Sequence, residues 1–160
     1  MRGSRRQLGA IDPGEPEVIW PHGRVVAQPG DGSCHFHAMA HVSGDARGAE
    51  FLRAEVCAYM EAHPHQVVAG DTIAQWIRYD SGRSVPDYVA HIRSGGWGGG
   101  LELAVVAEIR RRRIRVFGCV APGAPLGPFR QLASFGRTHV DTPAVLLYGG
   151  GVHYDVLEPV

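Results

Sequence analysis

Cys34 has the surroundings of a reactive thiol. It follows the short loop Asp31-Gly32-Ser33 and opens a run without helix breakers, so its position predicts the first turn of a helix. Free backbone N–H groups and the dipole at a helix N-terminus stabilise an anion and therefore favour the nucleophilic thiolate. The same N–H groups can hold an oxyanion, with Asp31 and Gly32 in supporting roles. Cys34 is a candidate nucleophile, and the alternative is an inert core cysteine.

A second candidate group, His153-Tyr154-Asp155, lies near the end of the chain in a run of alternating polarity that predicts a strand. Residues i and i+2 of a strand project to the same face, which makes His153 and Asp155 neighbours and turns Tyr154 to the other side. A nucleophilic thiol needs a base, and the base needs a partner that fixes its tautomer. The pair fits these two roles, and the alternative is an ordinary strand histidine beside a surface acid.

The elements that must position these residues follow from hydrophobic periodicity and from turn signals. Helical patterns come early in the chain and strand patterns dominate its last third, which predicts an α+β domain with helices packed on a small, mostly antiparallel sheet. Gly/Pro/charge-rich residues 1–17 indicate a flexible leader before a domain at 18–160. Predicted helices cover 34–42, 49–63, 73–77, 85–92 and 101–113, and predicted strands cover 18–20, 24–27, 114–117, 129–132, 144–148 and 152–157.

Several blocks of the sequence, taken together, resemble the ovarian tumour (OTU) cysteine proteases. The segment from Asp31 to Ala38 resembles the cysteine box of that family, and His153-Tyr154-Asp155 resembles its histidine box. The blocks stand in the family's order and cover about residues 18 to 157, which makes the match specific. Further matching segments are Leu52-Arg53-Ala54-Glu55-Val56, Trp97-Gly98-Gly99 with Leu101-Glu102-Leu103 and Ala107, and Ile114-Arg115-Val116-Phe117.

The resemblance implies a papain-like fold and a thiol peptidase that cuts after the Gly-Gly tail of ubiquitin or a ubiquitin-like modifier. Cys34, His153 and Asp155 would then be catalytic, while Trp97, Gly98, Gly151 and Val152 would bind substrate. It implies no cofactor, and a cytoplasmic location, in a host if the source is a virus or a bacterial effector. The alternatives are an inactive ubiquitin-binding module of the same fold and a protease that processes a viral polyprotein.

Two histidines depart from the family's pattern beside the nucleophile. His35 stands in place of an apolar residue and His37 in place of an arginine. An imidazole at either position would alter the local pKa values or the substrate channel. With His41 they also suggest a metal cluster, but the spacing lacks the general-base glutamate of a zinc protease, so we expect no metal site.

The amino-acid composition argues against several other classes of function. Sixteen acidic and sixteen basic residues balance, so no global field favours nucleic acid or a membrane. Three dispersed cysteines argue against a disulfide framework and for a reducing compartment, with Cys57 and Cys119 expected in the core. The basic run from Arg110 to Arg113 is more typical of a solvated helix end than of an RNA contact. We expect a monomer that binds neither nucleic acid nor membranes.

Overall fold

The computed structural model describes residues 17–121, 127–139, 142–149 and 153–159. Within these ranges the chain forms five helices and eight strands. The helices are α1 (Cys34–Ser43), α2 (Gly48–Ala62), α3 (Ile73–Ser81), α4 (Val85–Arg93) and α5 (Gly100–Arg110). The strands are β1 (Ile19–Trp20), β2 (Gly23–Val26), β3 (Val67–Val68), β4 (Asp71–Thr72), β5 (Ile114–Cys119), β6 (Phe129–Phe135), β7 (Ala144–Gly149) and β8 (His153–Pro159).

Six strands form one sheet in the order β1-β6-β5-β7-β8-β2. Only the β5–β7 pair among them is parallel, so the predicted α+β class with a mostly antiparallel sheet is confirmed. The short β3–β4 hairpin was not predicted, because two-residue strands leave no detectable alternation in the sequence. Among the described residues, no helix combines the length and the apolar character needed to cross a membrane.

The sheet is apolar on both faces, and its strands alternate between two core clusters. Leu146 of β7 belongs to the main cluster between the helices and the sheet, while Val145 and Leu147 belong to a smaller cluster on the opposite face. This alternation follows from the two-residue period of a strand. Buried strands of this kind give nearly continuous hydrophobic runs, as Ala144 to Tyr148 does. The core therefore holds β7 and its neighbour β8 as a rigid platform under α1.

Helix starts were predictable where a capping residue stands in the sequence. Thr72 caps α3 by accepting the backbone N–H of Gln75 at 3.1 Å. In turn, the side-chain oxygen of Gln75 accepts the backbone N–H of Thr72 at 2.9 Å. Ser84 caps α4 by accepting the Asp87 N–H at 3.3 Å. These side chains satisfy donors that the first turn of a helix leaves unpaired, which explains why both helices begin where the sequence predicts.

The prediction for the end of α5 was wrong. The helix stops at Arg110 rather than Arg113, because Arg111 adopts a left-handed conformation with φ of 49° and closes it. Arg110 is anchored rather than solvated: it lies 3.3 Å from Asp45 and 2.6 Å from Glu55. The basic run therefore ties α5 to α2 and to the loop after α1.

We expect Arg110→Gln to reduce stability and to leave chemistry alone. It removes a charged partner from two part-buried carboxylates, which should lower the free energy of unfolding by about 1–3 kcal/mol. Activity per folded molecule should stay within about threefold, equivalent to less than about 1 kcal/mol. Urea unfolding monitored by circular dichroism gives the first quantity. Arg83→Gln is the surface control, and a much larger loss of kcat/KM with an intact fold would instead give this run a role in substrate docking.

Candidate active site

Cys34 is the first residue of α1 and is 3% exposed. The loop before it is closed by Asp31, whose Oδ1 accepts the Ser33 N–H at 2.9 Å and whose backbone carbonyl accepts the Cys34 N–H at 3.3 Å. No side chain caps α1 at Ser33, and no acid lies in its first turn. The positive end of the helix dipole therefore faces the thiol without a neutralising carboxylate from the helix itself.

His153 and Asp155 lie together on β8, as the two-residue spacing predicts. His153 Nε2 is 2.8 Å from Asp155 Oδ1, and the same oxygen accepts the backbone N–H of Gln28 at 2.7 Å. The Gln28 bond fixes the carboxylate, and the carboxylate in turn fixes the imidazole. Because Nε2 faces Asp155, Nδ1 is the nitrogen that remains to exchange a proton with a substrate or a thiol.

Helix α1 packs directly against β8, which brings the two candidate groups into one region. The ring of His35, next to Cys34, lies 5.9 Å from the ring of Tyr154, next to His153. Burial raises the pKa of the Tyr154 phenol, with smaller contributions from the charges of Tyr148, Glu102 and Cys34. The residues that follow Cys34 and His153 in the chain therefore approach each other where α1 packs on β8. Tyr154 packs toward the main core cluster.

The glycine loop that holds Trp97 contacts the cysteine loop. A Cβ on Gly32 would lie 3.0 Å from the carbonyl oxygen of Gly95 and 3.5 Å from Nε1 of Trp97, so Gly32 permits this close approach. Trp97 is 55% exposed, which makes it an apolar wall open to solvent next to the cysteine loop. Gly151 and Val152, the other predicted substrate contacts, lie outside the described residues.

Comparisons of the whole chain with known proteins agree on one architecture. No family model matches the sequence. The structure superposes on a Hazara virus OTU bound to ubiquitin with a TM-score of 0.69 at 19% identity, covering 96% of each chain. The chain has the OTU fold. An OTU domain in complex with ubiquitin gives a TM-score of 0.64 at 21% identity, covering 92% of this chain and 74% of that one. A ubiquitin-bound OTU deubiquitinase from Wolbachia pipientis wMel gives 0.56 at 18%, covering 86% and 96%.

His35 occupies a core position of this OTU fold. It is 1% exposed, its ring stacks on Phe36 at 3.8 Å, and its Nε2 has no hydrogen-bond partner among the described residues. A Cβ on Gly98 would lie only 1.9 Å from the His35 ring, so Gly98 is required by the imidazole beneath it. Burial, and then the charge of Arg53, lower the pKa of His35 to about 3. The imidazole is therefore neutral at neutral pH.

This burial predicts a specific loss of stability in acid. The His35 pKa is about 3 in the folded chain and about 6.5 in the unfolded one, so between these values the unfolded state binds more protons. Stability is full above pH 6.5 and falls as the pH drops toward 3, with a loss near pH 5 of about 2 kcal/mol. His35→Leu removes the titrating group, and urea unfolding at pH 5 and pH 7.5 should show a smaller difference than in the wild type.

The matched control for this prediction is His41→Gln, on an exposed face of the same helix. It should leave the difference between the two pH values unchanged. The buried carboxyl of Glu102, whose pKa is raised by burial, is present in all three proteins and cancels in the comparison. An equal acid sensitivity in the wild type and His35→Leu would contradict the assignment of a buried, neutral imidazole.

His37 has a different environment from His35. Its Nε2 lies 3.2 Å from Oδ2 of Asp31, so it helps to fix the loop before Cys34. The pKa of Asp31 is lowered, first by the Ser33 N–H and then by His37 and Arg53, which keeps this carboxylate charged. Among the described residues, no group of three or more His, Cys, Asp or Glu side chains is arranged to hold a metal ion.

The two remaining cysteines differ in environment. Cys57 is fully buried, as predicted, and burial raises the pKa of its thiol. The prediction for Cys119 was wrong, since this residue is exposed at the end of β5, where it pairs with Phe129 of β6. An exposed thiol makes Cys119 the relevant control in any experiment that modifies cysteines.

Three further residues shape the site, and the sequence predicts no role for them. Gln28 orients Asp155 through its backbone, which no side-chain pattern reveals. Arg53 is buried and donates to Gly32 and Ser33, and Glu50 accepts from the Ser33 hydroxyl at 2.8 Å. Only Arg53 leaves a signal in the sequence: it lies on the apolar stripe of α2, between Ala49 and Val56, where a charged side chain is unexpected.

Proposed function

We propose that this chain is a deubiquitinating cysteine protease that hydrolyses peptide and isopeptide bonds after the C-terminal Gly-Gly of ubiquitin or a ubiquitin-like modifier. The observation that carries the proposal is the oriented His153–Asp155 pair, at 2.8 Å, on the strand against which the Cys34 helix packs. Three comparison structures of the same fold are complexes with ubiquitin, which supports the choice of substrate.

In the first half-reaction, the Cys34 thiolate attacks the carbonyl carbon of the last glycine. A C–S bond forms, and the carbonyl oxygen becomes an oxyanion, which we propose is received by backbone N–H groups of the loop from Asp31 to Cys34. Protonated His153 gives its proton to the leaving amine as the C–N bond breaks. The Ser33 N–H donates to Asp31 Oδ1 at 2.9 Å and the Cys34 N–H donates to the Asp31 carbonyl at 3.3 Å, so either group would have to exchange this partner for the oxyanion.

The second half-reaction releases the modifier. Neutral His153 takes a proton from water, the hydroxide attacks the thioester carbonyl, and the Cys34 thiolate leaves with the electron pair of the C–S bond. Asp155 holds the imidazole orientation and stabilises the imidazolium in both steps. Its carboxylate is prepared for this task by the N–H of Gln28.

We propose that the residues around Cys34 select the substrate. The exposed Trp97 beside the cysteine loop provides one apolar wall, and Gly98 leaves no side chain above His35. We propose that Gly151 and Val152 also bind the substrate. A tail that ends in two glycines fits such a channel because it has no side chains at the reacting positions. The free chain would act as a monomer in a reducing cytosol, without nucleic acid or membrane partners.

The test compares modifiers side by side. Fluorogenic C-terminal amides of ubiquitin and of other ubiquitin-like modifiers are incubated with the protein at equal concentrations. The proposal predicts hydrolysis of at least one member of this set, unaffected by EDTA. Tight binding of ubiquitin without turnover would instead support the inactive binding module, and the absence of both would overturn the assignment.

A further inference from the structure

Arg53 joins the two loops that flank the candidate nucleophile. Its side chain is 3% exposed, and its guanidinium lies between the cysteine loop and the loop that carries Trp97. One terminal nitrogen donates to the carbonyl of Gly32 at 3.0 Å and to the hydroxyl of Ser33 at 2.6 Å. The other donates to the carbonyls of Ile92 at 2.8 Å and Gly96 at 2.7 Å.

The Nε of the guanidinium forms an ion pair but has no hydrogen-bond partner among the described residues. This nitrogen lies 3.5 Å from Oε2 of Glu50, whose other oxygen accepts the Ser33 hydroxyl at 2.8 Å. The cation stands over the ring of Phe36, 4.7 Å from its centroid. Arg53, Glu50 and Ser33 therefore form a closed network at the start of α1, and Ser33 is drawn into it instead of capping the helix.

This network fixes the peptide plane between Gly32 and Ser33 at both ends. Arg53 holds the carbonyl of that peptide, and Asp31 Oδ1 accepts its N–H at 2.9 Å. Because a peptide unit is planar, two bonds on opposite sides prevent it from rotating. The network therefore restrains the backbone immediately before Cys34, whose own N–H donates to the Asp31 carbonyl at 3.3 Å.

We propose that Arg53 is a positioning residue for catalysis: it locks the cysteine loop against the Trp97 loop and so holds the Cys34 thiol in a fixed position for attack on the reacting carbonyl. The inference rests on the proposed function. A rigid planar fork with five donors can bond four acceptors on the two loops and the end of α4, whereas a lysine ammonium in the same place is a point charge with three donors. The role therefore depends on geometry more than on charge.

The test compares Arg53→Lys and Arg53→Gln with the wild type on a ubiquitin substrate. Both variants should lose about 100-fold in kcat, the scale of a 1 Å misplacement, with KM within about threefold. Arg93→Gln, an exposed arginine that pairs only with Glu61 among the described residues, is the matched control and should retain full activity. Wild-type kcat in Arg53→Lys would show that charge alone suffices and would overturn the proposal.

A second measurement needs no substrate. Hydrogen exchange at the amides of Ser33 and Cys34 should accelerate about tenfold or more in Arg53→Lys, while the amides of β7 keep their protection. Exchange unchanged in both loops would overturn the proposal even in a protein that is inactive on ubiquitin. A wild-type protein that fails on every modifier would count against the proposed function alone.

A milder variant covers the case in which the Arg53 variants do not fold. Ser33→Ala removes one acceptor of the guanidinium and leaves the bond to the Gly32 carbonyl. It should lower kcat by about three- to tenfold at constant KM, because the Gly32–Ser33 peptide is then held less firmly. Unchanged kcat together with unchanged exchange at Cys34 would contradict the proposed role.

Discussion

Replacing Cys34 by alanine is expected to abolish turnover of ubiquitin conjugates while the fold stays intact. The loss in kcat/KM should reach about 10⁴-fold or more, since no other group in the site can form the covalent intermediate. The side chain is small and packs at the end of a helix, so circular dichroism and the melting temperature should change little. Cleavage of di-ubiquitin followed on gels, with a fluorogenic ubiquitin amide for rates, measures the effect.

The other two cysteines provide matched controls for this experiment. Cys119→Ala removes an exposed thiol and should leave the rate unchanged. Cys57→Ala removes a buried thiol and should keep activity at a cost in stability of about 1 kcal/mol. Full activity in Cys34→Ala would refute the whole assignment, and loss of catalysis in a folded Cys57→Ala would indicate a different nucleophile.

The second large effect is an asymmetry between His153 and Asp155. His153→Ala removes the group that moves the proton in both half-reactions, and kcat/KM should fall by about 10³- to 10⁴-fold. Asp155→Ala should cost less, about 10- to 100-fold, because a thiol is a more acidic and more nucleophilic group than a serine hydroxyl and depends less on the orienting acid. One ubiquitin substrate and the same folding checks serve both variants.

Tyr154→Phe tests which side chains of β8 face the candidate site. Its ring packs between His35 and Tyr148 rather than beside Asp155, so loss of the hydroxyl should change the rate by less than about threefold. If Asp155→Ala matched the wild type, the third catalytic position would belong to another residue, with Asp31 next in order. A larger loss in Tyr154→Phe than in His153→Ala would contradict the arrangement of the histidine box.

Much of the fold was predictable because its elements follow local rules. The caps at Thr72 and Ser84 and the buried run of β7 leave clear patterns in the sequence. Three features were not predictable from pattern. Arg111 ends α5 in a conformation that a non-glycine residue rarely adopts, the β3–β4 hairpin is too short to alternate, and β6 runs to Phe135, beyond the predicted 129–132.

The site was predictable where spacing along one element sets the geometry. The His153–Asp155 contact follows from the strand period alone. Contacts between distant elements could not be predicted from spacing along one element. Gln28 is 127 residues from Asp155 in the chain, and Arg53 donates to the carbonyls of Ile92 and Gly96 on other elements. An arginine in the apolar stripe of α2 indicates a buried partner for its charge, but the sequence does not say which backbone carbonyls provide it.

The most direct test of the central claim is a ubiquitin probe with a C-terminal electrophile, followed by mapping of the modified residue by mass spectrometry. We predict one covalent adduct per chain, on Cys34, that forms at neutral pH in the wild type and fails to form in His153→Ala on the same timescale. Persistence of the adduct in Cys119→Ala excludes labelling of the exposed thiol. An adduct confined to Cys57 or Cys119, or an unmodified Cys34 in a folded wild-type protein, would contradict the proposed active site.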